Sequence, residues 1–184
     1  MRAHRDNSLL LVVDIQSKLA THVAGHEELI RRTRALLDAA ELLGIPKLLT
    51  EHCPGQIGPV IELMRSRFAT DEIFVKTRFG AADHPEFVDL VRRTGRTQVV
   101  VAGMEAHVCV MQTALALRGH GFGVTIVGDA VGSRQPRQLD RDLALRRMEQ
   151  AGCLLAGTET VLFEWAGSGV DPDFRAILGM VKTL

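Results

Sequence analysis

Apolar residues along this chain fall into two kinds of run. Short unbroken stretches occur at SLLLVV (8–13), KLLTE (47–51), IFV (73–75), VVVA (99–102), VTIV (124–127) and CLL (153–155). Runs of that length, rich in β-branched and aliphatic residues and closed by polar or glycine positions, suit strands buried on both faces. Between them apolar residues return every three or four positions. Leu29, Ile30, Leu36, Leu37, Ala40 and Leu43 do so in 26–43, and Phe87, Leu90 and Val91 in a segment from Asp83 or His84 to Thr94. Val108, Met111, Leu115 and Leu117, then Leu139, Leu143, Leu145 and Met148 in 138–150, repeat the pattern. That spacing predicts helices with one buried side. Gly44 with Pro46, and Gly119, Gly121 and Gly123, supply stops, and Pro85 takes a first-turn position. Thr158–Trp165 and Asp173–Val181 close the chain as helices. Ile61–Met64 is at most a short helix, while HCPGQIGPV and Asp129–Pro136 read as loops.

Strands alternating with helices predict an α/β protein with a three-layer α/β/α architecture. Its sheet is six-stranded, mainly parallel and doubly wound. No repeat, low-complexity tract or linker divides the chain, so residues 1–184 are expected to form one domain. Right-handed crossovers put every strand's carboxyl end along one edge, where ligands bind in open sheets of this kind. Asp14, Lys76 and Cys109 each follow a strand, the last just beyond the Gly103 that breaks the fourth run, so one edge carries all three.

Composition removes several classes of function. The 22 basic and 22 acidic residues balance, which gives no support for nucleic-acid or membrane-surface binding. Arg31, Arg32 and Arg34 lie on a helix among acidic residues and read as a solvated face. Three cysteines without CxxC spacing argue against a disulfide framework and for a reducing compartment. Leu9–Val13 is too short for a signal-peptide core, and no apolar stretch reaches the roughly 20 residues of a bilayer span. A cytoplasmic protein is the expectation.

Thiol, carboxylate and ammonium together suit hydrolysis. Cys109, near the first turn of a helix, is expected to favour the thiolate through unpaired N–H groups and the helix dipole. Asp14 would take its proton and later protonate a departing amine, while Lys76 keeps that carboxylate ionised. Backbone N–H groups between Met104 and Cys109 would hold the oxyanion. Each residue taken alone has a plainer reading: Asp14 as a turn or helix-cap residue, Lys76 as a solvent-facing edge residue. His107 reads as a structural or interface histidine and Cys153 as core. Cys53 stands open as a pocket residue. Glu51, His52 and Cys53 could ligate a metal only if adjacent side chains converged, so no metal and no cofactor is expected. Trp165 and Phe174 are candidates for a subunit interface.

LLVVDIQSKLA around Asp14, LLTEHCPGQIG, VKTRFGA around Lys76 and VVAGMEAHVCVMQTALALRGHGFGVTIVGDAVGSR around Cys109 resemble the isochorismatase-like cysteine hydrolases. Within these, GMEAHVCV with the DAVGSR loop is most similar to the isochorismatase domain-containing subgroup. The resemblance spans nearly the whole chain. It implies a six-stranded parallel sheet, an Asp14–Lys76–Cys109 triad, a homo-oligomer and a small-molecule substrate. It further implies a cis peptide at Met104–Glu105, with the N–H groups of Glu105 and Cys109 facing the oxyanion. Gln16 stands as a pocket residue or a polar helix-start residue, and Phe79 as a substrate contact or a core aromatic. The Asp-x-His metal pair of nicotinamidases is missing, and Cys109 separates the chain from isochorismatases proper, which lack the nucleophile. Two other readings stay open: an interaction or scaffold protein of this fold, and a thiol redox sensor.

Overall fold

The computed structural model describes residues 2–184. In chain order the elements are β1 (Ser8–Val13), α1 (Ser17–Ala20), α2 (His26–Leu42), β2 (Lys47–His52), α3 (Pro54–Ile57), α4 (Glu62–Arg65), β3 (Ile73–Lys76) and α5 (Pro85–Arg93). Then come β4 (Gln98–Met104), a π-type turn over Ala106–Val110, α6 (Met111–Gly119), β5 (Gly123–Gly132), α7 (Gln138–Gln150), β6 (Leu154–Ala156), α8 (Thr158–Ala166) and α9 (Phe174–Val181). The sheet order is β3-β2-β1-β4-β5-β6, and every neighbouring pair is parallel. This is the expected three-layer α/β/α architecture.

Strand alternation divides β1 between two cores. Leu10 and Val12 face the layer holding α2, α8 and α9, and Leu9, Leu11 and Val13 face the layer holding α5 and α6. The order reverses between β1 and β4, and the crevice beyond the carboxyl ends there is the usual ligand position in such sheets. No helix among the described residues is long and apolar enough to cross a membrane.

Four expectations need correction. Gly103 does not end the fourth strand, which runs on to Met104. Gly103 has φ 127°, and a Cβ there would stand 2.0 Å from the Val13 carbonyl oxygen, so glycine is what lets β4 lie against β1. Residues 129–132 are strand rather than loop: β5 continues to Gly132 through a register shift, with Val101 opposite Ile126 but Gly103 opposite Val131. The Asp129 carboxylate in that irregular stretch accepts the Thr158 N–H and Oγ1–H, each at 2.8 Å, and so ties β5 to the start of α8. The segment before Cys109 opens as a π-type turn rather than a plain α-helix. Trp165 is fully buried, its Nε1–H donating to Ser8 Oγ at 3.1 Å, so it belongs to the core and not to a subunit interface.

Candidate active site

Asp14 ends β1 at φ 47°, a left-handed conformation that aspartate tolerates better than most residues. Both carboxylate oxygens are held. Thr50 Oγ1–H on neighbouring β2 donates to Oδ1 at 2.6 Å, and Lys76 Nζ at the end of β3 donates to Oδ2 at 2.7 Å. The ammonium also donates to the carbonyls of Phe79 at 3.0 Å and Arg78 at 3.4 Å. Asp14 and Lys76 are both about 1% exposed, so each charge has the other as its main compensation. The 80–82 segment following Lys76 is anchored to α6, because the Ala81 N–H donates to Thr113 Oγ1 at 2.9 Å.

The pair acts on Cys109, on the π-type turn beyond β4. Burial pushes the thiol up from 9.0 to about 12; the Asp14 carboxylate adds to the rise through charge and hydrogen bonding, and the Lys76 ammonium opposes it. The expectation of a resting thiolate is therefore corrected: loss of solvent and a facing carboxylate outweigh the helix start. At pH 8 only about one site in 10⁴ would be ionised. Alkylation by iodoacetamide should accordingly be slow near neutrality and still rising above pH 10. Asp14→Asn should move that profile to lower pH and Lys76→Ala to higher pH; unchanged profiles would remove both charges from the account.

Met104–Glu105 is cis. The Glu105 N–H has no hydrogen-bond acceptor among the described residues. The Glu105 carboxylate accepts the Arg134 N–H at 2.9 Å and pairs with its guanidinium, fixing the turn to the end of β5. His107 Nδ1 and Ser133 Oγ, 2.8 Å apart, add a second tie. His107 is thus structural rather than a partner for the thiol.

A cavity of about 360 Å³ opens over these groups, its lining including Asp14, His52, Phe79, Glu105, Cys109 and Arg134. Phe79 forms one wall, 49% exposed, with its ring 5.1 Å from the His52 ring. Burial, reinforced by the Lys76 ammonium, lowers the His52 pKa, which favours the neutral imidazole. Gln16 is placed elsewhere. It is fully buried; its Nε2 donates to the carbonyls of His52 at 3.0 Å and Gly58 at 2.5 Å, and its Oε1 accepts the His52 N–H at 2.8 Å. With its amide committed to holding β2 and the 58–60 loop together, Gln16 is not a substrate contact. Thr50 contacts Asp14, and His52 and Arg134 line the cavity, positions that residue patterns did not single out for this site. Glu51 accepts the Val60 N–H at 2.9 Å and Arg65 Nε–H at 3.0 Å, and no three His, Cys, Asp or Glu side chains among the described residues converge as metal ligands.

The sheet order and the switch-point crevice are those of the isochorismatase-like hydrolase fold, a three-layer α/β/α class. The isochorismatase domain model matches residues 8–160, and the chain belongs to that family. It is 33% identical over 175 residues to isochorismatase domain-containing protein 1 of Danio rerio, covering 95% of this chain but 61% of the relative's length. Among solved structures, the MAR1 ribonuclease of Caenorhabditis elegans superimposes with a TM-score of 0.90 at 34% identity, covering 99% of this chain and 93% of that one. YcaC of Pseudomonas aeruginosa, solved with hexane-2,5-diol and covalent acrylamide, gives 0.88 at 30%, covering 97% and 91%. The Escherichia coli YcaC gene product, described as an octameric hydrolase of unknown specificity, gives 0.87 at 26%, covering 100% and 97%.

Proposed function

We propose that this chain is a cysteine hydrolase of a small amide-like compound, working through a thioester on Cys109. The observation that carries the reading is the buried Asp14–Lys76 pair, 2.7 Å apart, acting on a thiol in the wall of a 360 Å³ cavity. A cavity of that size, at the lower end for ligand sites, suits a compact substrate. Leu19, Ile57, Phe79 and Val108 would contact its apolar part.

The chemistry begins with a neutral thiol. As sulfur attacks the carbonyl carbon, its proton passes to Asp14, so no free thiolate accumulates. The carbonyl oxygen becomes an oxyanion, held by the N–H groups of Glu105 and Cys109; loss of one such donor typically costs about 2.7–4 kcal/mol in the barrier. The C–N bond breaks, the amine takes the proton from Asp14, and an acyl thioester remains. Water, deprotonated by Asp14, attacks the thioester. The acid leaves and sulfur recovers its proton. Lys76 holds Asp14 in place throughout, through the contact at 2.7 Å.

The covalent acrylamide in the Pseudomonas structure supports a search for covalent adducts on this fold. The test is a panel of small amides, ureas and carbamoyl compounds, with acid quenching and intact-mass analysis. Turnover with an acyl adduct mapped to Cys109 is the expected result. Turnover that leaves every adduct elsewhere would end the thioester scheme. The C. elegans relative favours a second reading, ribonuclease activity, and RNA belongs in the same panel. Against it stands the balanced charge, since backbone-phosphate binding draws on an excess of cations. The octameric E. coli relative supports self-association of this chain too.

A further inference from the structure

β2 ends at His52, two positions beyond Thr50 and therefore on the same side of the sheet. Thr50 holds Asp14 through Oδ1, and Lys76 is the register partner of His52 on β3. The imidazole thus stands among the groups that act on Cys109, and it lines the same cavity. Its placement is firm: Gln16 accepts the His52 N–H and donates to the His52 carbonyl, and the Phe79 ring lies against the imidazole. The ring itself is unsatisfied. Nδ1 is shut away from solvent with no hydrogen-bond partner among the described residues, and Nε2, also without a protein partner there, is left open. A polar ring held this tightly and bonded to nothing is arranged for a molecule that the chain does not supply.

We infer that His52 orients the water that opens the Cys109 thioester, its Nε2 accepting one O–H of that water while Asp14 takes the other proton. The inference rests on the cysteine hydrolase reading above and adds the group that prepares water for the second step. The tautomer follows from the surroundings. Burial and the Lys76 ammonium disfavour a second proton on the ring, and the Arg78 carbonyl, short of hydrogen-bond geometry, favours the one it keeps. Nδ1 is the nitrogen turned toward the protein, so that proton sits there and Nε2 is left as a bare acceptor in the cavity wall. Asp14 keeps lone pairs beyond those that Thr50 and Lys76 occupy. Water held by these two acceptors is left with its own lone pairs free to meet the thioester carbon. Its oxygen bonds to that carbon, the C–S bond breaks, and the proton on Asp14 passes to sulfur as the acid leaves. Acylation uses no such water, so His52 bears on the second half of the reaction.

The activated ester p-nitrophenyl acetate tests this, because it can place an acetyl thioester on Cys109 without the natural substrate. Intact-mass analysis of the full chain follows how fast the adduct forms and how fast it decays. His52→Phe keeps a ring against Phe79 and removes the acceptor. It should lengthen the adduct's lifetime by about tenfold or more, with formation slowed less. The far-ultraviolet circular dichroism should stay unchanged, since no side-chain hydrogen bond to the protein is lost. His52→Ala should lengthen the lifetime too. His52→Gln, whose amide oxygen accepts a hydrogen, should bring it back toward that of the unmodified protein, a rescue that a merely space-filling ring would not give. An unmodified protein that forms no adduct on Cys109 would remove the thioester reading and this inference together. An adduct on Cys109 that decays equally fast in His52→Phe, or equally slowly in His52→Phe and His52→Gln, leaves the thioester reading standing and overturns the role of His52.

Discussion

Cys109→Ala should lower turnover of any substrate found by about 10³-fold or more, because sulfur is the only protein atom in the scheme that bonds to the acyl group. Stability should change little, by about 1 kcal/mol. The thiol is neutral at rest, its pKa pushed up to about 12, so its removal takes no charge from a buried site. Truncating either charged neighbour is a poorer test. Asp14→Ala would leave the buried Lys76 ammonium without its counterion, a change that costs about 3–5 kcal/mol in comparable pairs. Loss of activity would then be confounded with loss of fold. Steady-state kinetics alongside urea unfolding separates the two. An alanine variant retaining more than about a tenth of the activity would refute nucleophilic catalysis by Cys109.

Gly103→Ala should be among the most destabilising single substitutions in the sheet, by about 3 kcal/mol or more. The added methyl would meet the Val13 carbonyl oxygen at 2.0 Å and the Val13 nitrogen at 2.7 Å, both backbone atoms of a central strand that cannot swing aside. Alanine would also have to adopt φ 127°. Relief by parting β1 from β4 would separate Asp14 from the Cys109 turn, so activity should fall with stability. Urea unfolding midpoints check the first effect and kinetics below the transition the second. A change under about 1 kcal/mol would mean that the strands separate more easily than their pairing implies.

How much of this was legible in the sequence depends on which interaction decides each feature. Asp14, Lys76 and Cys109 could be gathered on one edge because strand direction and crossover handedness are general, and a polar residue directly after an apolar run is visible as such. Gln16 is different. Whether an amide faces a cavity or bridges two backbone segments depends on the 58–60 loop, which no local pattern locates. Trp165 reads from the sequence as an interface candidate, because no local pattern tells that α8 lies over β1, where Ser8 accepts its N–H. The second half of β5 contains Gly128 and Asp129, poor strand formers, and pairing with β4 overrides that local preference. The Cys109 shift runs opposite to the helix-start expectation because desolvation, its largest cause, is invisible along the chain.

The carbonyl of Phe79 accepts a hydrogen from Lys76, while the ring of the same residue walls the cavity. A guest that shoves this aromatic aside therefore tugs on the tether of the buried amine. The cavity wall and the hold on the buried amine thus meet in one residue. A bulky guest would then be disfavoured twice, once by crowding and once by slackening the grip on the Asp14 carboxylate.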